Sequence, residues 1–170
     1  MLRQSLLFLM LIFTATTVTP KTIFDRWQKD PSHKQITCLA TNIYFESRNQ
    51  PLVGMIAVAQ VVMNRVESDK FPDTICEVVY QSKMEMNDKG KWKPILNKCQ
   101  FSWFCDGKPD LIVDRSSWSK SRKLARQIYE SQMIDITEGS LYYHNHKVNP
   151  KWSKYMTKTV TINHHTFYRG

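Results

Sequence analysis

Apolar residues recur at helical spacing early in the chain. Ile36, Leu39, Ala40, Ile43 and Tyr44 share one face of an amphipathic helix that is expected to run to Arg48. The turn Asn49-Gln50-Pro51 closes it, and Pro51 can occupy the first turn of a second helix reaching about Val66. That second segment is apolar nearly all round, from Leu52 and Val53 through Met55 to Val62 and Met63, so it is expected to be the buried central helix. Gly54, Ala57 and Ala59 would let a neighbouring backbone approach it closely. Phe71-Pro72-Asp73-Thr74 opens a short third helix through Cys76, Val78, Val79 and Tyr80. From Gln81 to Lys98 the chain turns polar and lysine-rich and reads as an exposed loop. Ser116 or Ser117 is expected to cap a fourth helix carrying Trp118, Leu124, Ala125, Ile128 and Tyr129. Beyond Gly139 the residues become β-branched and aromatic. Leu141–Asn145 and Thr159–Asn163 read as two strands of a small sheet, joined through Asn149-Pro150-Lys151-Trp152.

One residue breaks the pattern of the first helix. Glu46 lies three residues after Ile43 and seven after Leu39, at the edge of the apolar stripe rather than on the solvated face. It also falls in the last turn, where the negative end of the helix dipole disfavours a carboxylate. Both effects favour the protonated form, which is what a general acid needs. The plainer alternative is a surface glutamate paired with Arg48 or Arg65.

The chain has 170 residues, enough for one domain with a sizeable core, and its apolar fraction of 42% suits a globular protein. A formal charge of +9 implies an acidic partner, whether nucleic acid, anionic lipid or an anionic wall polymer. Met1-Leu2-Arg3-Gln4 followed by the apolar run Ser5–Phe13 and a threonine-rich tail reads as a signal peptide or signal anchor over residues 1–19. Residues 20–35 read as a linker, and residues 36–170 as the folded domain. Export would place the four cysteines, Cys38, Cys76, Cys99 and Cys105, in an oxidising compartment, where they suggest two disulfides with three possible connectivities. A zinc site is the rival, since His144, His146, His164 and His165 are also present, but no C-x-x-C occurs and no metal is expected.

A second stretch can carry chemistry. Cys99-Gln100-Phe101-Ser102-Trp103-Phe104-Cys105 sets a carboxamide, a hydroxyl and three aromatics in a loop bounded by cysteines, a combination suited to sugar rings. Tyr142, Tyr143 and Trp152, with His144 and Asn145, can form the other wall of a cleft. Tyr44-Phe45-Glu46-Ser47-Arg48, the segment Gly54–Val66 ending Asn64-Arg65-Val66, the segment Phe71–Gln81, Gln100-Phe101-Ser102 and Leu141-Tyr142-Tyr143-His144-Asn145 then follow in order. Together they resemble the catalytic domain of SleB/CwlJ-type cell wall hydrolases, the spore-cortex-lytic family, from about Cys38 to Phe167.

The resemblance implies an α+β, lysozyme-like or lytic-transglycosylase-like domain, mainly helical with a small C-terminal antiparallel β element. It implies cleavage of peptidoglycan glycan strands between N-acetylmuramic acid and N-acetylglucosamine, without a cofactor. Glu46 falls on the family's catalytic glutamate, and Gln100, Phe101, Ser102, Tyr142, Tyr143 and Asn145 on residues beside the cleft. A hydrolase would need a second carboxylate. Asp106, Asp110 and Glu67 are the candidates, none persuasively spaced from Glu46, which favours a lytic transglycosylase over a muramidase. The cysteines and the long lysine-rich stretch resemble exported or phage-borne members more than spore proteins. An exported monomer acting on the wall is therefore expected, with no nucleic-acid partner and no membrane span after processing. The rivals are a non-catalytic wall-binding module and a zinc amidase or peptidase.

Overall fold

The computed structural model describes residues 31–131 and 133–170. The expected export segment and residues 20–30 of the expected linker lie outside the described residues. Helix α1 spans Pro31–Ser47, so residues 31–35, read as linker, form its first turns. Helix α2 spans Leu52–Val66 and follows after a turn in which the Gln50 amide donates to Ser47 O at 2.9 Å. Helix α3, Ile75–Val79, is capped by Thr74, whose hydroxyl accepts from the Glu77 amide. Helix α4, Arg115–Glu130, begins two or three residues earlier than a cap at Ser116 or Ser117 would set it. Asp114 is its cap, accepting from the amides of Ser116 and Ser117 at 3.0 Å, because its carboxylate satisfies two free N–H groups at once.

Burial explains why α2 is apolar all round. Met55, Ala59 and Val62 meet the helical core of Leu39, Ile43, Val78, Leu124 and Ile128, while Ala57 and Val61 meet Phe167 of the sheet. A cylinder packed on both sides needs apolar residues on both. Gly54 permits one further close approach: a Cβ there would lie 2.8 Å from the Asn163 side chain at the tip of the C-terminal sheet.

The β structure departs from expectation in two places. Residues 81–98 are not a loop: Ser82–Met86 (β1) and Trp92–Cys99 (β2) pair antiparallel, with Met86 opposite Trp92 and Glu85 opposite Lys93. Their connection is built by Asn87, whose carboxamide oxygen accepts from the amides of Lys89 and Lys91, and by Gly90 at φ 70°. Nearly every residue of the hairpin is solvated, so no buried stripe marked it. In the C-terminal sheet, Tyr142–Asn145 (β3) and Thr157–Ile162 (β4) do not pair with each other. A third strand, His165–Arg169 (β5), lies between them in the order β3-β5-β4. The tight Asn163-His164 turn sends the chain straight back along β4, and that local pairing wins.

The fold is thus α+β, helical with small antiparallel sheets, as expected. The four cysteines form two disulfides, Cys38–Cys76 and Cys99–Cys105. The first staples α1 to α3, and the second closes the short 3-10 turn Ser102–Cys105. No described helix is long and apolar enough to cross a membrane. Because Cys38–Cys76 closes a sequence separation of 38 residues, replacing both by serine should lower unfolding stability by about 4 kcal/mol. A denaturant midpoint unchanged by the double substitution would show that the crosslink does not constrain the unfolded chain.

Candidate active site

Four segments converge on one cavity of about 310 Å³. The last turn of α1 brings Glu46, α2 brings Arg65, the cysteine-bounded segment brings Gln100, Phe101 and Ser102, and β3 brings Tyr143, His144 and Asn145. Val148, Pro150 and Trp152 from the following loop, and His165 from β5, complete the wall. Of the residues expected at the site, only Tyr142 is absent from this lining. Strand alternation turns its ring away, toward Phe71 at 5.9 Å and Trp152 at 6.0 Å. Phe101 is buried and backs the site from within the core, whereas Gln100 and Ser102 are exposed at the opening. Trp103, one of the three aromatics read as suited to sugar rings, belongs to the core and donates to Asn42 Oδ1 at 3.0 Å.

Glu46 is half-buried, and the Tyr143 hydroxyl donates to its Oε2 at 3.0 Å. Burial pushes the carboxyl above the ordinary 4.5, and the Tyr143 hydrogen bond and the charge of Arg65 pull part of that back. No close ion pair joins Glu46 to Arg48 or Arg65 among the described residues, which removes the plain surface-pair reading. Tyr143, expected beside the cleft, lines the cavity and directs its hydroxyl at the Glu46 carboxylate. Burial also raises the Tyr143 phenol well above 10, so it stays a donor. His165 is buried and pushed below 6.5 by that burial and by His164, His146 and His144, so it is neutral at neutral pH.

Among the described residues, Glu46 is the only carboxylate in the cavity lining. Glu67 lines a separate groove of about 570 Å³ beside α4. Asp106 is paired with Lys108 at 3.6 Å, and Asp110 lies on the exposed loop that follows. Among the other lining residues, Arg65 had entered the sequence reading only as a surface ion-pair partner and His165 only as a rival zinc ligand, and Val148 not at all. The one available signal was a charged residue closing an otherwise apolar helix.

A family model described as Cell Wall Hydrolase matches residues 49–168. The chain belongs to the cell wall hydrolase family. Within that family, the spore cortex-lytic enzyme of Oceanobacillus iheyensis is 34% identical over 117 residues, covering 57% of this chain and 40% of that one. The Bacillus cereus spore cortex-lytic enzyme is 40% identical over 52 residues, covering 31% of this chain and 20% of the relative. This cell wall hydrolase therefore spans less than half the length of these curated relatives. Among solved structures, the catalytic domain of the germination-specific lytic transglycosylase SleB from Bacillus anthracis matches with a TM-score of 0.59 and 26% identity, over 83% of this chain and 98% of that one. The Bacillus cereus SleB catalytic domain matches with a TM-score of 0.58. The expected resemblance and fold are borne out. Glu46 stands just before the segment the family model covers.

Glu46 also makes a prediction about stability. Its folded pKa lies above its unfolded one, so its stabilising contribution is complete below the unfolded value and is lost as pH rises through the folded value. Glu46→Gln, neutral at every pH, should match the wild type in melting temperature at acid pH and exceed it near pH 8. A wild type that is more stable than the variant at alkaline pH would mean the carboxylate is well compensated rather than strained.

Proposed function

We propose that residues 36–170 form an exported lytic transglycosylase domain that cuts peptidoglycan glycan strands between N-acetylmuramic acid and N-acetylglucosamine. The observation that carries this reading is the lone carboxylate. Breaking the glycosidic bond requires a proton for the leaving oxygen, and a desolvated Glu46 held by Tyr143 is suited to give it. Hydrolysis would call for a second carboxylate to activate water or form a covalent intermediate, and the cavity lining supplies none. In the transglycosylase route the muramic acid 6-hydroxyl attacks the anomeric carbon and passes its proton to the Glu46 carboxylate. One residue then serves as acid and base, and a 1,6-anhydro product results. The solved SleB domain that this chain resembles is itself a germination-specific lytic transglycosylase.

Gln100, Ser102 and Asn145 offer amide and hydroxyl groups to the acetamido sugars, and Trp152 offers an aromatic face at the cavity wall. The net charge of +9 favours encounter with an anionic wall. Two disulfides suit an oxidising compartment outside the cytoplasm.

Mass spectrometry of muropeptides released from purified peptidoglycan tests the reading. Wild-type protein should release anhydromuramic ends, and Glu46→Gln should lower the rate by at least about a hundredfold. Reducing-end muramic acid would indicate a muramidase, and full activity in Glu46→Gln would remove Glu46 from the chemistry. An absence of glycan cleavage by the wild type would favour a binding module.

A further inference from the structure

Arg65 is the only Arg, Lys, Asp or Glu side chain that is fully buried among the described residues, with 4% exposure. Its Nε donates to Leu141 O at 2.8 Å, which fixes the guanidinium at the entry to β3. Three aromatic rings surround the charge, with Phe71 at 4.9 Å, Phe101 at 5.1 Å and Tyr142 at 5.8 Å from Cζ. Nη1 has no hydrogen-bond partner, and no carboxylate forms an ion pair with the group. A buried cation without a contacting anion is expensive and is retained only where the fold holds it firmly. Arg65 nevertheless lines the same cavity as Glu46, whose carboxylate is the only anionic group there.

We propose that Arg65 is a positioning residue for the acid/base step, a fixed buried charge that stabilises the carboxylate Glu46 becomes when its proton passes to the leaving oxygen. This rests on the reading of Glu46 as acid and base. In the first half-step the Glu46 O–H bond breaks, the proton goes to the glycosidic oxygen, and the bond from that oxygen to the anomeric carbon breaks. In the second, the 6-hydroxyl closes on the anomeric carbon and returns a proton to Glu46. Between them Glu46 is a half-buried anion, and Arg65 supplies the opposing charge. The other groups facing Glu46 cannot. Tyr143 from β3 donates a neutral hydrogen bond, His165 from β5 is held neutral, and Gln100 and Ser102 carry no charge. His144 is engaged with Tyr168 OH at 2.9 Å and with Asn145 O. On its own helix Arg48 is turned over the Tyr44 ring at 4.8 Å, outside the lining. The mutual influence of Arg65 and Glu46 on each other's protonation agrees with this placement. A lysine could supply the charge but not the planar group that stacks among three rings while donating to Leu141.

NMR titration with labelled glutamate and arginine tests the coupling without relying on activity. In the wild type, the Arg65 Nε signal should move with the Glu46 titration midpoint, and in Glu46→Gln it should stay flat. Arg65→Gln should raise the Glu46 midpoint by about one unit or more, with Arg65→Lys moving it less. The alkaline limb of the kcat/KM profile should follow the midpoint upward, while kcat falls about tenfold or more. An Arg65 signal in the wild type that is blind to Glu46 overturns the proposal even if the Arg65 variants do not fold. A coupled signal with an unmoved alkaline limb in a folded Arg65→Gln overturns it as well. Cleavage unimpaired in Glu46→Gln would instead overturn the acid/base reading, and the proposal with it, while leaving the measured coupling intact.

Discussion

The site depends on how the polar edge of α2 grips the chain that enters β3. Gln60 donates to Ile134 O at 2.8 Å and accepts from the Ile136 amide at 3.0 Å. Asn64 donates to Asp135, Thr137 and Ser140 O, and Arg65 donates to Leu141 O. Every one of these bonds ends on residues 134–141, a segment with no regular structure of its own to satisfy its backbone groups. The helix can offer them because its remaining faces are committed to apolar packing and its position is therefore fixed. Four residues after this clamp Asn145 ends β3, and between them Tyr143 is set with its hydroxyl on Glu46. An error of one residue in this register would exchange Tyr143 for Tyr142 and break the contact with the carboxylate.

Given that frame, the chemistry follows from desolvation and from scarcity. A glutamate at the C-terminal end of α1 lies where both burial and the helix dipole resist its ionisation. The walls around it are aromatic, amide and hydroxyl groups, with one fixed cation buried behind them and no other carboxylate. Such a site can lend and recover a proton, and has little with which to prepare a water molecule for attack. The Cys99–Cys105 disulfide closes the short segment that supplies Gln100 and Ser102, so the opposite rim is held by a covalent link as well as by Phe101 and Trp103 in the core.

Much of this was legible in the chain. The one-sided apolar stripe of α1 exposed Glu46 as an exception, and the all-round apolar α2 could only be central. Asn145, Gln100 and Ser102 were recognisable from ordered motifs, and they line the cavity with Glu46. Other features were hidden for physical reasons. The β1–β2 hairpin has Met84 and Met86 alternating with Lys83 and Glu85, but with neither face buried in a core the alternation carried little weight. Strand β5 begins with histidine and follows β4 after only Asn163-His164, so its hairpin with β4 is local, and its central place comes from the long-range pairing with β3 that composition does not encode. Which of two adjacent tyrosines faces the cavity depends on register. The role of Arg65 required knowing which rings surround it.

The central claim is that a single carboxylate performs both proton transfers while the substrate's own hydroxyl is the nucleophile. Digestion of peptidoglycan in water enriched in heavy oxygen tests it most directly, because hydrolysis must place solvent oxygen on the anomeric carbon and intramolecular attack must not. The account predicts muramic products free of the heavy isotope and lighter than hydrolysis products by one water. Solvent oxygen at the new muramic end would contradict it and would require a second group, outside the described lining, to activate water.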